Sequence, residues 1–501
     1  MQRPVTIATP ATTPGAIPRM VGPAAVLVAS GALLVLAAFR GDGLGFGTTA
    51  QLPLYSLGLL FVGVLTWWEA TRRRAGVLPA WTSPPALIAG WALVWIYLPA
   101  LAAFLDDDLI DDFTLAKGGQ AVLLAGLPLT CAALAVLSLS YRVTTLALGR
   151  DARAIEGAEP HVPLQRVLGL YAVGMLARAV RVQTLGVAFG ADLAAWGPLQ
   201  SLDQWIGYVE DLRFLALALL VAHVVRRRSG HLWLWITLIV ELVLGVSSGF
   251  LAPLILPVVL CVATAAAFDR LRGRHVALVA AAALVVSTFV PVIAAIREDR
   301  MGAIGTADAV GTGDALTAPV RYWLNGVSSG DGVYAKFFGR QTEVASATGL
   351  VVMFTPAVVP YEGFDRFLTL PAGLIPRVIW PDKPQLSRGV WFSSTFRGLR
   401  GDTTSSSAMT IFSEGYLFYG WTGTAVAMLI AGVVLAVVRR LLDSPRLALV
   451  YLALVPTILQ IEPELSSYLT TLVQRSLVFL VVFVLLRHMK AVGVGHEQIR
   501  A

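Results

Sequence analysis

Apolar segments long enough to cross a lipid bilayer recur from one end of this 501-residue chain to the other. Crossing about 30 Å of hydrocarbon takes roughly 20 helical residues, and a backbone in lipid must satisfy its own hydrogen bonds. Only 14% of the residues are charged, against about 25% in soluble domains, which excludes a soluble fold. Hydropathy predicts an all-α polytopic membrane protein with about twelve transmembrane helices, at residues 21–39, 51–68, 85–104, 119–140, 163–185, 210–225, 231–247, 250–268, 275–296, 411–438, 446–461 and 468–487.

The Lys and Arg residues give the predicted orientation of these helices. Short clusters such as residues 72–74 and 226–228 follow every second predicted helix, and cytoplasmic loops carry the excess of basic residues. The net charge of +7 is therefore a topology signal and does not indicate nucleic acid. Both termini, residues 1–20 and 490–501, are predicted to be cytoplasmic. The run 21–39 also fits a cleaved signal peptide, but its length and the many later spans favour a retained helix.

A long segment, residues 297–408, separates the predicted helices 1–9 of residues 21–296 from helices 10–12 of residues 409–489. The predicted orientation puts this segment on the outer side. Connections of such length are uncommon in compact proteins unless they are functional or disordered. Its Gly, Pro, Trp and Phe content predicts a partly ordered domain on the membrane surface, with a re-entrant stretch at residues 345–359 as one form of it. A flexible loop is the alternative.

Two short runs in the last third of the chain carry the most specific local signal. Residues 375–384 read Ile-Pro-Arg-Val-Ile-Trp-Pro-Asp-Lys-Pro, and residues 412–423 read Phe-Ser-Glu-Gly-Tyr-Leu-Phe-Tyr-Gly-Trp-Thr-Gly. This stretch resembles the Wzy-like O-antigen and exopolysaccharide repeat-unit polymerases, whose late outer loop carries Pro-Arg, Trp and Lys-Pro before a helix that opens with Glu, Tyr and spaced Gly. The resemblance is close over about 50 residues, and the rest of the chain matches only in hydropathy and topology.

The resemblance implies a GT-C-like helical bundle in the bacterial inner membrane, with both termini cytoplasmic. It implies a glycosyltransferase that joins polyprenyl-pyrophosphate-linked oligosaccharides on the outer face, for O-antigen, capsule or exopolysaccharide synthesis. The implied partners are these lipid-linked substrates, membrane lipid, a chain-length regulator and a flippase. No cofactor and no metal is expected, because the lipid carrier supplies the activation.

The segment around residue 380 offers fixed cations and an aromatic ring. Arg377 and Lys383 lie among prolines that restrict the backbone, and guanidinium and ammonium groups suit the oxygens of a pyrophosphate. Both are therefore candidate catalytic residues that stabilise the leaving group. Snorkelling to lipid phosphates is the alternative. Trp380 and Tyr416 are candidates for stacking on a sugar, with a place in the interfacial aromatic belt as the alternative reading.

Glu414, at the start of the tenth predicted helix, is the candidate base. A carboxylate there is costly unless it is paired or borders a cavity, and a partly desolvated one can accept the proton of an incoming hydroxyl. Helix capping or pairing with an Arg is the alternative.

Arg178 and Arg181 share one face of the fifth predicted helix, and Arg297 and Arg300 follow the ninth. These four are candidates for binding the lipid pyrophosphate, with snorkelling or local ion pairing as alternatives.

Other functions fit the sequence less well. The acidic residues 106–112 suggest a metal, but a solvated outer loop is the simpler explanation, and no nucleotide-binding motif occurs. An O-antigen ligase would need an outer-loop histidine, whereas all six histidines lie in or near predicted cytoplasmic segments. A lipid-linked oligosaccharide flippase or another transporter would usually show repeats and a binding site at mid-membrane, and neither is visible.

Overall fold

The computed structural model of the protein describes residues 48–71, 78–149, 162–185, 200–248, 251–268, 289, 293, 332–375, 380, 388–398 and 407–493. These residues form helices and no β-strand. The helices are α1 Thr48–Thr71, α2 Pro84–Ala102, α3 Asp112–Ala116, α4 Gln120–Ala147, α5 Leu164–Leu185, α6 Gln200–Arg227, α7 His231–Ser247, α8 Leu251–Phe268, α9 Gly332–Phe354, α10 Thr369–Leu374, α11 Gly389–Phe396, α12 Glu414–Leu442, α13 Ala448–Ala453, α14 Val455–Leu459 and α15 Leu465–Gly493.

Six of these helices, α1, α2, α4, α8, α12 and α15, are long and apolar enough to cross a membrane. The all-α fold predicted from hydropathy is thus confirmed, and the apolar helices are consistent with a multi-pass membrane protein. The predicted spans 163–185 and 210–225 correspond to α5 and α6, which are helical but carry several charged residues. The predicted span 21–39 and most of 275–296 lie outside the described residues.

Polar contacts at the helix ends show which helices run in the same direction. Arg142 Nε donates to Glu69 Oε1 at 2.7 Å, so α1 and α4 end together. Arg439 Nη1 donates to Thr82 Oγ1 at 3.0 Å, which joins the end of α12 to the start of α2. We call this the basic end of the bundle, because it also carries Arg226, Arg227 and Arg440. The starts of α4, α12 and α15 lie at the opposite, acidic end.

Close helix contacts in the bundle depend on glycine. A Cβ atom on Gly126 of α4 would lie 2.6 Å from the backbone nitrogen of Gly349 of α9, so the two helices touch backbone to backbone. Helix α9 falls within residues 297–408, the segment predicted as a large outer loop. Its buried residues, among them Val344 and Leu350, pack into the hydrophobic core. Part of that segment is therefore a helix built into the bundle, whose contact with α4 lies within the first turns of that helix.

Helix α12 contains a sharp reversal of the chain. Tyr419 has φ −162° and ψ 48°, and Gly420 has φ 58° and ψ −142°, a left-handed φ that favours glycine. The short arm before the reversal folds back onto the long arm after it, because a Cβ atom on Gly415 would lie only 2.7 Å from Cβ of Ala427. Twelve residues of continuous helix would separate these positions by about 18 Å. The start of the predicted span 411–438 is therefore a helical hairpin, and its long arm begins at Trp421.

Candidate functional site

Glu414 lies on the short arm of α12 and is only 2% exposed. Its two carboxylate oxygens accept hydrogen bonds from Ser466, at 2.8 Å from the backbone nitrogen and 2.8 Å from the hydroxyl. Ser466 is the second residue of α15, where backbone N–H groups lack helical partners and attract negative charge. Glu414 therefore caps the start of a different helix from its own. This contact places a buried carboxylate at the acidic end of the bundle.

A second buried carboxylate and an arginine adjoin Glu414. Glu464 is 5% exposed and accepts a hydrogen bond from the backbone nitrogen of Arg388 at 2.6 Å. The guanidinium of Arg388 makes two hydrogen bonds with the carboxylate of Glu362, one of them at 2.9 Å, and lies 3.9 Å from the ring centre of Trp391. Both Glu464 and Arg388 are close enough to act electrostatically on Glu414. The site thus combines two buried carboxylates with one oriented guanidinium.

An alternating chain of charges lies beside this site. Arg397 contacts Asp111 at 3.0 Å and Glu343 at 2.6 Å, and Arg340 contacts Glu343 at 2.8 Å and Glu462 at 3.1 Å. We call these five residues the ion-pair chain. It ties the segment before α3 to α9, to the end of α11 and to the turn before α15. Asp111 belongs to the acidic residues predicted as a solvated loop, yet it is largely buried and caps α3 by accepting from Thr114.

The predicted phosphate-binding pair of α5 lies in another charged cluster. Arg181 Nη1 is 3.1 Å from Glu210 Oε2, and Arg178 lies 3.9 Å from both Glu210 and Glu241. Arg178 Nη1 is buried and has no hydrogen-bond partner among the described residues. The cluster also contains Asp211, Arg213 and Arg475. Its described members include four guanidiniums and three carboxylates, and ion pairs join them into one cluster.

The two predicted sugar-binding residues have different surroundings. Trp380 is 40% exposed, so part of its ring is open to a ligand. Tyr416 is 7% exposed and lies beneath Tyr361 and Trp421, with ring centres 6.2 Å away in each case. A sugar therefore has no free face of Tyr416 to stack on, and the ring supports its exposed neighbours instead.

The other predicted site residues, Arg377, Lys383, Arg297 and Arg300, lie outside the residues that the structure describes. Sequence reasoning missed Glu464, Ser466 and Arg388. One signal was available: Glu462 and Glu464 stand between two apolar runs, a position where carboxylates are costly unless they have partners. Within the described ranges, no group of three or more His, Cys, Asp or Glu residues is placed to hold a metal ion.

Comparisons with known proteins assign the chain to a family. No curated protein and no solved structure matches the chain significantly. The sequence profile of one family, described as "Domain of unknown function (DUF8712)", matches residues 183–442, just over half of the chain. The matched region includes Glu414, Arg388 and Glu362, whereas Ser466 and Glu464 follow it. On the extent of this match, the chain belongs to the DUF8712 family.

Proposed function

We propose that this protein is a membrane glycosyltransferase that polymerises polyprenyl-pyrophosphate-linked oligosaccharide repeat units of O-antigen, capsule or exopolysaccharide. The observation that carries the proposal is the buried carboxylate of Glu414, fixed by two hydrogen bonds from Ser466 and flanked by Glu464 and Arg388. A fixed carboxylate with little water around it is the group that general-base catalysis of glycosyl transfer requires. The resemblance of residues 375–384 and 412–423 to the Wzy-like polymerases points to the same chemistry.

In the proposed reaction, an acceptor hydroxyl attacks the anomeric carbon of the donor sugar. A bond forms between the hydroxyl oxygen and that carbon, and the bond from the carbon to the pyrophosphate oxygen breaks. The hydroxyl proton passes to the carboxylate of Glu414, and the electron pair leaves with polyprenyl pyrophosphate. Ser466 donates to both carboxylate oxygens, through its backbone N–H and its hydroxyl, and so orients the carboxylate.

The proposed roles of the cations follow from the charge of the leaving group. Arg377 and Lys383 would stabilise the developing negative charge, because fixed cations in a site with little water act strongly on such charge. Arg178 and Arg181 would bind the lipid pyrophosphate. Since Arg181 is already paired with Glu210, a phosphate there has to compete with that carboxylate, whereas the buried Nη1 of Arg178 makes no hydrogen bond to the described residues.

The proposal includes a membrane topology and a location. We place the protein in the bacterial inner membrane with about twelve spans, a GT-C-like bundle, both termini cytoplasmic and the acidic end outside. The Arg-rich basic end supports this orientation through the positive-inside bias. The proposed partners are the lipid-linked substrates, membrane lipid, a chain-length regulator and a flippase.

The test is the polysaccharide made by a deletion strain complemented with variants. We expect the deletion strain to make single repeat units only, wild type to restore long chains, and Glu414→Gln to restore none. The control is Asp365→Asn, which neutralises an exposed carboxylate at the same end and should behave as wild type. Membrane abundance and melting temperature are measured for each variant. Long chains made by a well-folded Glu414→Gln protein would reject the base role, and long chains in the deletion strain would reject the polymerase.

One observation favours a transporter as the second candidate. The charged cluster around Arg178 and Glu241 lies within a helical bundle, and such residues often mark a path for substrates or ions. A flippase predicts a different phenotype from a polymerase. Its deletion would leave the lipid-linked repeat units on the cytoplasmic face, where an enzyme added outside intact spheroplasts could not reach their sugars, whereas loss of a polymerase leaves single units accessible outside.

A further inference from the structure

Four exposed aromatic side chains lie near one another at the acidic end. Tyr361, Phe364, Tyr419 and Trp421 are 38%, 44%, 51% and 38% exposed, and we call them the aromatic ledge. The ring centre of Tyr419 lies 5.9 Å from that of Tyr361 and 4.7 Å from that of Phe364. The buried ring of Tyr416 connects Tyr361 to Trp421 from below. Each ring of the ledge contacts a neighbouring ring and keeps part of its surface exposed, and Phe364 also stacks on Phe367, with ring centres 5.7 Å apart.

The backbone holds the ledge in a fixed shape. The nitrogens of Glu362 and Gly363 donate to the carbonyl oxygens of Leu417 and Phe418, both at 3.0 Å, which fixes the segment of Tyr361 and Phe364 along the short arm of α12. The reversal at Gly420 brings the two segments together, since a Cβ atom there would lie 2.8 Å from the hydroxyl oxygen of Tyr361. Rings ordered before binding lose little entropy when a ligand stacks on them.

A short series of contacts, which begins at Glu362, connects the ledge to the candidate site. Glu362 stands between Tyr361 and Phe364 in the chain, and its carboxylate binds the guanidinium of Arg388. The backbone nitrogen of Arg388 in turn binds Glu464, the carboxylate next to Glu414. A molecule bound on the ledge would therefore lie close to Glu464 and to Glu414, the proposed base.

We infer that the aromatic ledge binds the acceptor oligosaccharide by stacking on the apolar faces of its sugar rings, an inference that rests on the proposed function. Pyranose rings present C–H faces that pack against aromatic rings, while their hydroxyl groups require nearby hydrogen-bonding partners. Glu362 and Arg388 supply such partners at the rim of the ledge. Aromatic residues that only anchor a protein in the headgroup region need no shared surface and no polar rim. The combination favours a sugar over a lipid headgroup.

The experiment measures binding of the free glycan to the purified full-length protein in phosphatidylcholine nanodiscs. The probe is the repeat-unit oligosaccharide released by mild acid from the lipid carrier that accumulates in the deletion strain. Phe364→Ala and Tyr419→Ala should each raise its dissociation constant by roughly three- to tenfold, the effect expected from loss of one stacked ring. Tyr419→Phe keeps the ring and should bind as wild type does. The matched control is Trp235→Ala, which removes an exposed aromatic ring from α7, away from the ledge.

The possible outcomes distinguish a failure of the inference about the ledge from a failure of the proposed function. Accumulation of single units in the deletion strain, with weaker binding and shorter chains for Tyr419→Ala but not for Trp235→Ala, supports the inference. Equal binding by wild type, Phe364→Ala and Tyr419→Ala overturns the inference and leaves the polymerase standing. If Tyr419→Phe weakens binding as much as Tyr419→Ala does, the hydroxyl group of Tyr419 and not its ring contacts the glycan. This result would also overturn the inference. Long polymer in the deletion strain overturns both proposals.

Discussion

Glu414 combines two roles that are often separate, since it caps a helix and lies in the candidate site. The carboxylate accepts the backbone N–H and the hydroxyl of Ser466, so the first turn of α15 holds it in place. Bonds from uncharged donors leave the negative charge of the group unneutralised. A carboxylate held in this way keeps its orientation and remains able to take a proton, which an Arg partner in direct contact would oppose.

Replacing Ser466 with Ala tests how much of this support comes from the hydroxyl group. The substitution removes one hydrogen bond to a buried carboxylate and keeps the backbone one, so we expect a loss of about 1–2 kcal/mol in the free energy of unfolding. The measurement is the melting temperature of the purified protein in detergent. Ser476→Ala is the control, because the one hydrogen bond that the hydroxyl of Ser476 makes to the described residues goes to a carbonyl of its own helix. Equal melting temperatures for the two variants would contradict the prediction.

The carboxyl group of Asp111 gives a prediction about pH. Burial raises its pKa above the ordinary value, despite the nearby guanidinium of Arg397. A raised pKa means that the folded protein holds the proton more tightly than the unfolded chain does, so the contribution of this group to stability grows as pH falls. We expect the melting temperature of wild type, relative to Asp111→Asn, to rise between pH 7 and pH 5. A difference that stays constant or shrinks would contradict this sign.

At the scale of elements, the reversal in α12 decides where Glu414 lies. An uninterrupted helix from residue 414 would carry the carboxylate beyond Trp421 and out of the acidic end of the bundle. The reversal instead returns Glu414 to a level near Ala427 of the long arm, inside the bundle. Glycine makes this possible at two kinds of position. Gly420 supplies the left-handed backbone, and Gly415 and Gly423 let the two arms touch, since a Cβ atom on Gly423 would lie 2.2 Å from the carbonyl oxygen of Gly415.

A pair of helical glycines tests the packing of this hairpin. Gly423→Ala should destabilise the protein by at least about 2 kcal/mol, because its methyl group meets backbone that cannot rotate away. Gly169→Ala, in α5, places a methyl group in open space and should be neutral or stabilising by up to about 1 kcal/mol. Melting temperatures of both variants in the same detergent provide the comparison. Similar behaviour of the two would show that the arms are not in contact.

At the scale of the whole molecule, charge divides the bundle into two unlike ends. The basic end carries Arg142, Arg226, Arg227, Arg439 and Arg440, while the acidic end holds the ion-pair chain, Glu414 and Glu464. The positive-inside bias predicts that the basic end faces the cytoplasm, as in the proposed topology. Single cysteines can test this, because Cys131 and Cys261 are buried and should react slowly. We expect a membrane-impermeant maleimide to label Asp108→Cys in intact spheroplasts and Ser229→Cys only after permeabilisation, and the reverse pattern would invert the topology.

The sequence predicted those parts of the fold that depend on the period and length of apolar runs. Predicted spans such as 51–68 and 119–140 agree with α1 and α4 to within several residues, because burial in lipid or in the bundle leaves a strong hydropathy signal. The reversal in α12 was missed, since hydropathy does not report backbone direction. Helix α9 lies in a segment that hydropathy predicts as a loop, because polar residues interrupt its first half. Glu414 could be singled out by its position, whereas its partner Ser466 is 52 residues away and no local pattern joins them.

The ion-pair chain has a property that follows from counting its members. Three carboxylates alternate with two guanidiniums, so the intact chain carries one negative charge in excess. Removing any one carboxylate, even Glu343 in the middle, leaves the four remaining members with no net charge, whereas removing Arg340 or Arg397 leaves them with a net charge of two negatives. Glu343→Gln should therefore lower the melting temperature less than Arg397→Gln does, although Glu343 touches both arginines. The net charge that a substitution leaves behind, more than the number of contacts that it removes, therefore determines how far it lowers the stability of the protein.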